Sequence, residues 1–310
     1  MKRFAFLRFA LAAALVFGFH SFSLAGGASG RSVAPGKYDA GQAAEICAAG
    51  GRERDAAEFV FVQITDTQIG FTDKTEHFHD TDSLMRDAIL AINAIHPVAV
   101  FNTGDLVNKF GNQEQKDIYT RNLSEMDSDI PYWVVPGNHD IRGFNQKNYD
   151  GYMAFVGYDR FSVRYNDCAF IGIDSNRIKD DNEYAAAAEE EQFEWLLAEL
   201  KAAKKCRYTF VFMHCPVAMT SLDEADGHNS FPMAKRERYI SAFKKYGVDA
   251  IFSGHSHCYS YFEDGGIQHI NSMPVTHAFN GAYPSINIVT VGPDGFTFKY
   301  VAGAEVIAGE

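Results

Sequence analysis

Apolar runs of five or six residues alternate along the first half of this chain with longer segments whose apolar residues recur at helical spacing. The runs fall at 59–64 (FVFVQI), 98–102 (VAVFN) and 131–135 (PYWVV), and the helical patterns at 82–95 (DSLMRDAILAINAI) and 112–126. Such alternation predicts parallel strands joined by right-handed helical crossovers. Further on, 161–165 and 168–174 flank Asn166-Asp167, a two-residue hairpin signal. A helix is expected over 189–204, a strand over 208–213, a helix over 233–246 and a strand over 249–252. The tail, 258–302, reads as short strands turned at Gly265-Gly266 and Asp294-Gly295. The result is an α/β sandwich, with parallel strands first and more antiparallel strands later. No internal repeat or linker interrupts it, so a single domain is expected over 58–305.

The residues before that domain carry a different pattern. Lys2, Arg3 and Arg8 form a basic start, 9–19 (FALAAALVFGF) is apolar throughout, and Ser23-Leu24-Ala25 places small residues where a signal peptidase reads. Residues 1–25 therefore read as a signal peptide, because the run falls short of the roughly 20 apolar residues that span a bilayer. Residues 26–57, rich in Gly, Ala and Ser, read as a loosely ordered lead-in. Export to a periplasm or to the medium is expected, with no stable membrane insertion after cleavage. The chain has 28 basic and 40 acidic residues, a net charge of -12. Loss of the leader makes it more acidic still, and such a surface repels a nucleic-acid backbone. The cysteines, Cys47, Cys168, Cys206, Cys215 and Cys258, contain no C-x-x-C pair, so a zinc ribbon is not indicated. Cys168 and Cys206 each open a strand that leads toward one sheet edge. If those strands are parallel neighbours, a Cys168–Cys206 disulfide is expected in an oxidising compartment.

Polar segments stand where strands end: Thr65-Asp66-Thr67-Gln68, Gly104-Asp105, Gly137-Asn138-His139-Asp140, His214, and Gly254-His255-Ser256-His257. The carboxyl ends of parallel strands lie on one sheet edge, where ligands bind in open α/β folds. Each segment alone is also what a turn or a hydrogen-bonded core histidine would show. Together they place Asp, Asn and His side chains on one edge, a donor mix that suits zinc, manganese or iron. Gly104, Gly137 and Gly254 let the chain turn sharply beside each donor.

The order D-x-[HQ], GD, GNHD, a lone His and GHxH resembles the calcineurin-like metallophosphoesterase superfamily over about 59–300. Gln68 in the first motif, the stretch 161–176 (FSVRYNDCAFIGIDSN) and 246–257 (YGVDAIFSGHSH) are similar to its branch of calcineurin-like phosphoesterase domain-containing protein 1. The resemblance implies a four-layer α/β/β/α sandwich holding two divalent or trivalent ions (Mn, Zn or Fe). Asp66 and His257 would bind the first ion together with Gln68. Asp105 would bridge both ions, and Asn138, His214 and His255 would complete the second site. It further implies hydrolysis of a phosphate ester by a hydroxide held between the ions, with His139 facing the substrate as proton donor or charge stabiliser. Asp140 would orient His139 or a ligand histidine, or else cap the turn that follows.

Gln68 departs from the commoner histidine, and an amide oxygen is the weaker, harder donor. On an extended segment it would leave the same side of the chain as Asp66. Asn108 is not the tyrosine that purple acid phosphatases use for iron. The polar stretch 221–230 (SLDEADGHNS) is expected to overhang the site. Its acids, Asp223, Glu224 and Asp226, would disfavour strongly anionic substrates, and its His228 is a candidate phosphate contact. His277 has the same standing, and for both a solvated loop position remains open. A phosphomonoesterase, with phosphoproteins among the substrates the branch implies, is the leading expectation. A phosphodiesterase and a metal-binding protein with lost catalysis stand as alternatives.

Overall fold

The computed structural model of the chain describes residues 58–71, 78–279 and 282–309. The expected leader at 1–25 and lead-in at 26–57 lie outside the described residues. Strand β1 (Phe59–Ile64) sets the layering. Pleating sends alternate side chains to opposite faces. Phe59 and Phe61 enter one core, while Val62 and Ile64 face a second core shared with helix α1 (Phe78–Ile95). Both faces are covered, which is why the strand is apolar at every position but the buried Gln63.

The first sheet has the order β11-β10-β1-β2-β3, with β2 at Val100–Asn102, β3 at Tyr132–Val134, β10 at Ile286–Val291 and β11 at Phe296–Val301. β1, β2 and β3 pair in parallel, and β10 is antiparallel to both β1 and β11. The second sheet has the order β4-β5-β6-β7-β9-β8. Its strands are β4 (Phe161–Tyr165), β5 (Cys168–Gly172), β6 (Tyr208–Phe212), β7 (Ala250–Ser253), β8 (Ser260–Asp264) and β9 (Ile267–Asn271). β5, β6, β7 and β9 run parallel, with β4 and β8 as antiparallel edges. Parallel pairing thus continues further than the sequence pattern suggested, since β9 lies in the tail yet pairs in parallel with β7.

Phenylalanines fill the space between the sheets. Phe61 meets Phe101, Phe170 and Phe210 at ring separations of 5.6, 5.3 and 5.3 Å, and Phe101 stacks on Phe212 at 4.5 Å. Such pairs contribute about 0.5–1.5 kcal/mol each beyond their area burial. Outside the first sheet lie α1, α2 (Gln113–Leu123) and α3 (Gln146–Val156), with Val306 of α7 (Gly303–Ala308) packed on the same core. Outside the second lie α5 (Glu183–Ala203) and α6 (Met233–Tyr246), and α4 (Asn176–Lys179) is a single turn after β5. The layers are α/β/β/α.

Local chemistry sets the boundaries. Asn166 adopts φ 49° in the hairpin that pairs Tyr165 with Cys168, the left-handed turn that Asn tolerates. α5 starts six residues earlier than expected because Asn182 caps it, accepting from the Ala185 N–H at 2.8 Å. α3 was not expected at all. Its Gly151 and its Asn and Asp residues weaken the helical signal, and it is held by the Asn145 cap and ended by Gly157 at φ 94°.

The expected Cys168–Cys206 disulfide is corrected. Cys168 is a buried free thiol, whereas Cys206 is disulfide-bonded elsewhere. β5 and β6 are indeed parallel neighbours, but Cys168 is in register with Tyr208. Cys206 lies two residues before that position, roughly 6–7 Å back along the strand direction. Among the described residues no helix is long and apolar enough to cross a membrane.

Candidate metal centre

The carboxyl ends of β1, β2 and β3 meet those of β6 and β7 at one edge. The His214 imidazole Nδ1 bonds the Thr103 carbonyl at 2.8 Å, and the His255 N–H donates to Asp66 Oδ2 at 3.0 Å. The approach is close enough to exclude side chains. A Cβ on Gly254 would lie 1.9 Å from Thr65 Oγ1, and one on Gly137 would lie 2.0 Å from Asp105 Oδ1.

Asp66, Gln68, Asp105, His255 and His257 all have positive φ, at 50, 31, 56, 73 and 55°. A non-glycine residue there is strained, and strain of this kind gathers at functional sites. It also corrects the extended geometry expected for Asp66 and Gln68. Their loop turns back, with the Asp66 and Gln68 N–H groups donating to the Gly104 and Asp105 carbonyls at 2.9 and 2.8 Å.

Each imidazole is oriented by a carbonyl on one nitrogen, which leaves the other to face the site. His214 uses Thr103 O, His257 uses His277 O through Nδ1, and His255 uses His228 O through Nε2. The remaining atoms converge. His214 Nε2 lies 3.0 Å from Asn138 Oδ1, 3.2 Å from His255 Nδ1 and 3.4 Å from Asp105 Oδ2. Beside them, His257 Nε2 lies 3.4 Å from Asp66 Oδ1. Donor atoms of Asp66, Asp105 and His214 all fall within 4.8 Å of one another. Burial works against a charge on His214, yet the Asp105 and Asp66 carboxylates raise it to about 9. Burial and the neighbouring His214 lower His255 to about 4.

The donor set fits metal ions on one further observation. Gln68 Oε1 is a fully buried oxygen with no hydrogen-bond donor, and the equally buried Asp66 Oδ1 has only the long 3.4 Å contact with His257 Nε2. Burying such acceptors unpaired costs roughly 1–3 kcal/mol each, and a cation would remove that cost. Gln68 also reaches Asp105 Oδ2 through its amide nitrogen at 3.5 Å, so its side chain lies among the donors.

His139 sits beside this cluster. Its N–H donates to Asp105 Oδ1 at 2.8 Å and its Nδ1 bonds the Asn108 carbonyl at 2.8 Å, which leaves Nε2 open. Asp140 does not orient an imidazole. Its carboxylate accepts from the N–H groups of Asp105, Leu106 and Gly137 at 2.9, 3.0 and 2.9 Å, clasping two loops together. His228 lies at the rim, its ring 4.8 Å from that of His255. His277 contributes its carbonyl, and its ring packs 5.2 Å from Phe71. The acids of 221–230 are turned to the loop's own use. Glu224 accepts from the Met219 and Thr220 N–H groups, Asp226 from Met233, and both stand 3.9 Å from Arg236.

Asn176 was missed in the sequence. Its side-chain amide donates to the Gly137 carbonyl at 3.1 Å and to Asp174 Oδ1 at 2.9 Å, tying the end of β5 to the loop that carries Asn138 and His139. The Asp174-Ser175-Asn176 triplet directly after an apolar strand was the available signal.

A sequence model described as calcineurin-like phosphoesterase matches residues 59–259. Serine/threonine-protein phosphatase CPPED1 of Bos taurus is 30% identical over 218 residues, covering 64% of this chain and 69% of the relative. A probable glycerophosphodiester phosphodiesterase, GpdQ of Arcobacter nitrofigilis, is 28% identical over 204 residues, 64% of this chain and 71% of the relative. Among solved structures, a dimetal phosphatase from Danio rerio aligns with a TM-score of 0.58 at 16% identity, covering 77% of this chain and 98% of that one.

Proposed function

The chain belongs to the calcineurin-like phosphoesterase family and is a metal-dependent phosphoesterase, and from this we propose that it is a phosphomonoesterase with phosphorylated serine or threonine side chains among its substrates. The family fold implies a dimetal centre. We assign Asp66, Gln68 and His257 to the first ion, Asn138, His214 and His255 to the second, and Asp105 to both, with Mn, Zn or Fe as the ions. The observation that carries this assignment is the buried Gln68 Oε1, which has no hydrogen-bond donor, beside Asp66 Oδ1, which has only the His257 nitrogen at 3.4 Å.

When bound, the ions polarise phosphoryl oxygens and lower the pKa of a water. The chain's own residues do the rest. Asp105 fixes the backbone of His139 through Oδ1 while Oδ2 stays with the donors. The Asn108 carbonyl holds the His139 ring so that Nε2 faces the substrate, where a protonated Nε2 can give its proton to the leaving oxygen. Asp140 and Asn176 act as positioning residues that keep the 137–140 loop against the 104–106 loop. His228, whose ring lies 4.8 Å from that of His255, is assigned as a contact for a bound phosphate.

Paired aryl mono- and diester phosphates, offered to protein reconstituted with each metal, test the reading. Faster turnover of the monoester is expected. Preference for the diester would instead favour the activity named for the GpdQ relative. Two bound ions without turnover of either ester would mean that catalysis has been lost.

Gln68 supports a second measurement. An amide oxygen holds borderline cations less tightly than imidazole, so apo protein titrated with zinc should show two unequal sites. Gln68→His should raise the weaker affinity and narrow the gap. Superimposable titrations would make Gln68 a spectator.

Export is also proposed, on the N-terminal pattern of residues 1–25 and on the disulfide at Cys206, a bond that persists in oxidising compartments. A mature N-terminus near Gly26 in exported material would establish it, and an intact Met1 would refute it.

A further inference from the structure

Next to His139 a cleft of about 430 Å³ opens between the loop after β2, the start of α2 and the segment leading into α3. That volume is within the range of small-ligand sites. Lys109, Lys116, Arg142 and Lys147 line it. The sole acid in the lining is Asp140, whose carboxylate is capped by three N–H groups. In a chain of net charge -12 this is a local reversal of sign.

None of these cations forms an ion pair among the described residues. Every other arginine there does, through Arg86, Arg121, Arg160, Arg164, Arg177, Arg207, Arg236 and Arg238. Lys116 is aimed rather than loose, its ammonium 5.3 and 5.5 Å from the Phe110 and Phe155 rings. Gathering like charges around one concavity opposes folding through their mutual repulsion, and a bound anion relieves it. Lone surface lysines are ordinarily just solvated, but a shared concavity that also contains His139 is a different arrangement.

We propose that this cleft binds negative charge carried by the leaving group, so that preferred substrates are phosphomonoesters with a second anionic group beside the esterified phosphate. The inference rests on the proposed phosphomonoesterase reading, in which His139 faces the leaving oxygen. His139 is itself part of the cleft lining. Two sources share the chemistry: acidic residues flanking a phosphorylated side chain, and a small phosphorylated hydroxy acid.

The experiment reads equilibrium binding to metal-loaded full-length protein. Labelled peptides carrying a non-hydrolysable phosphonate in place of phosphoserine, with glutamate or alanine at the flanking positions, are compared by fluorescence anisotropy, and the phosphonate analogues of 3-phosphoglycerate and glycerol 3-phosphate are compared as competitors. The more anionic member of at least one pair should bind about tenfold more tightly at low salt, with a gap that closes as salt screens it. A gap in the peptide pair identifies acidic sequence as the source, and a gap in the small pair identifies a small acid. Arg142→Glu with Lys147→Glu, both at exposed positions, should erase or reverse the gap. Equal binding within both pairs, or a gap that survives charge reversal, overturns the proposal. Phosphate release, followed separately, bears on the phosphomonoesterase reading, so the two can fail independently.

Discussion

Asp105→Asn is expected to strip the centre of both ions and abolish turnover. The carboxylate is buried between the two donor groups, with Oδ2 3.4 Å from His214 Nε2 and 3.5 Å from Gln68 Nε2. As the proposed bridge it would supply the charge that two neighbouring cations share, and an amide supplies none. Asn retains an acceptor for the His139 N–H, which Oδ1 now takes at 2.8 Å, so the loop has reason to stay in place. Metal analysis of purified protein is the decisive readout because it does not depend on activity. Two retained ions and a near-parental rate would show that Asp105 is not the bridge.

His139→Ala is expected to lower kcat by about 10²-fold or more, the usual size of a general-acid contribution, with metal content unchanged. The separation follows from geometry. The contact between residue 139 and the donor set is a backbone N–H, which alanine keeps, whereas the ring is held apart by the Asn108 carbonyl. The deficit should shrink along a series of aryl phosphates with better leaving groups, since these need no proton. A deficit constant along the series would make the ring a stabiliser of transition-state charge instead. Loss of metal would place His139 in the centre itself.

The layers were legible wherever covering both faces of a strand made it largely apolar, as with 59–64, 168–172 and 208–212. The hairpin at Asn166 was legible because its turn needs a residue that accepts positive φ. The site was legible as a set of polar breaks after such strands, and those breaks do come together. What their spacing could not show was how each donor is aimed. Asp66, Gln68 and Asp105 reach their places through left-handed backbone, which leaves no periodic trace in sequence. Asp140 stands next to His139 in the chain, yet it is spent on main-chain donors 34 and 35 residues away. Cys168 and Cys206 failed as a pair for a similar reason, since strand adjacency does not determine register. The basic cleft was not legible because its four cations are spread over three segments, and only folding collects them.

The donor set is divided between the sheets. Asp66, Gln68, Asp105 and Asn138 follow β1, β2 and β3, whereas His214, His255 and His257 follow β6 and β7, and the two sheets share no strand pairing among the described residues. Ions held by the proposed donors would therefore tie one layer to the other. A ligand that binds the native state alone stabilises it by about 2.7 kcal/mol when present at a hundredfold excess over its Kd. That is a sizeable part of the roughly 5–15 kcal/mol that holds a domain together. On that assignment, removing the metal should lower the melting temperature as well as abolish turnover, and a thermal scan with and without chelator would read it.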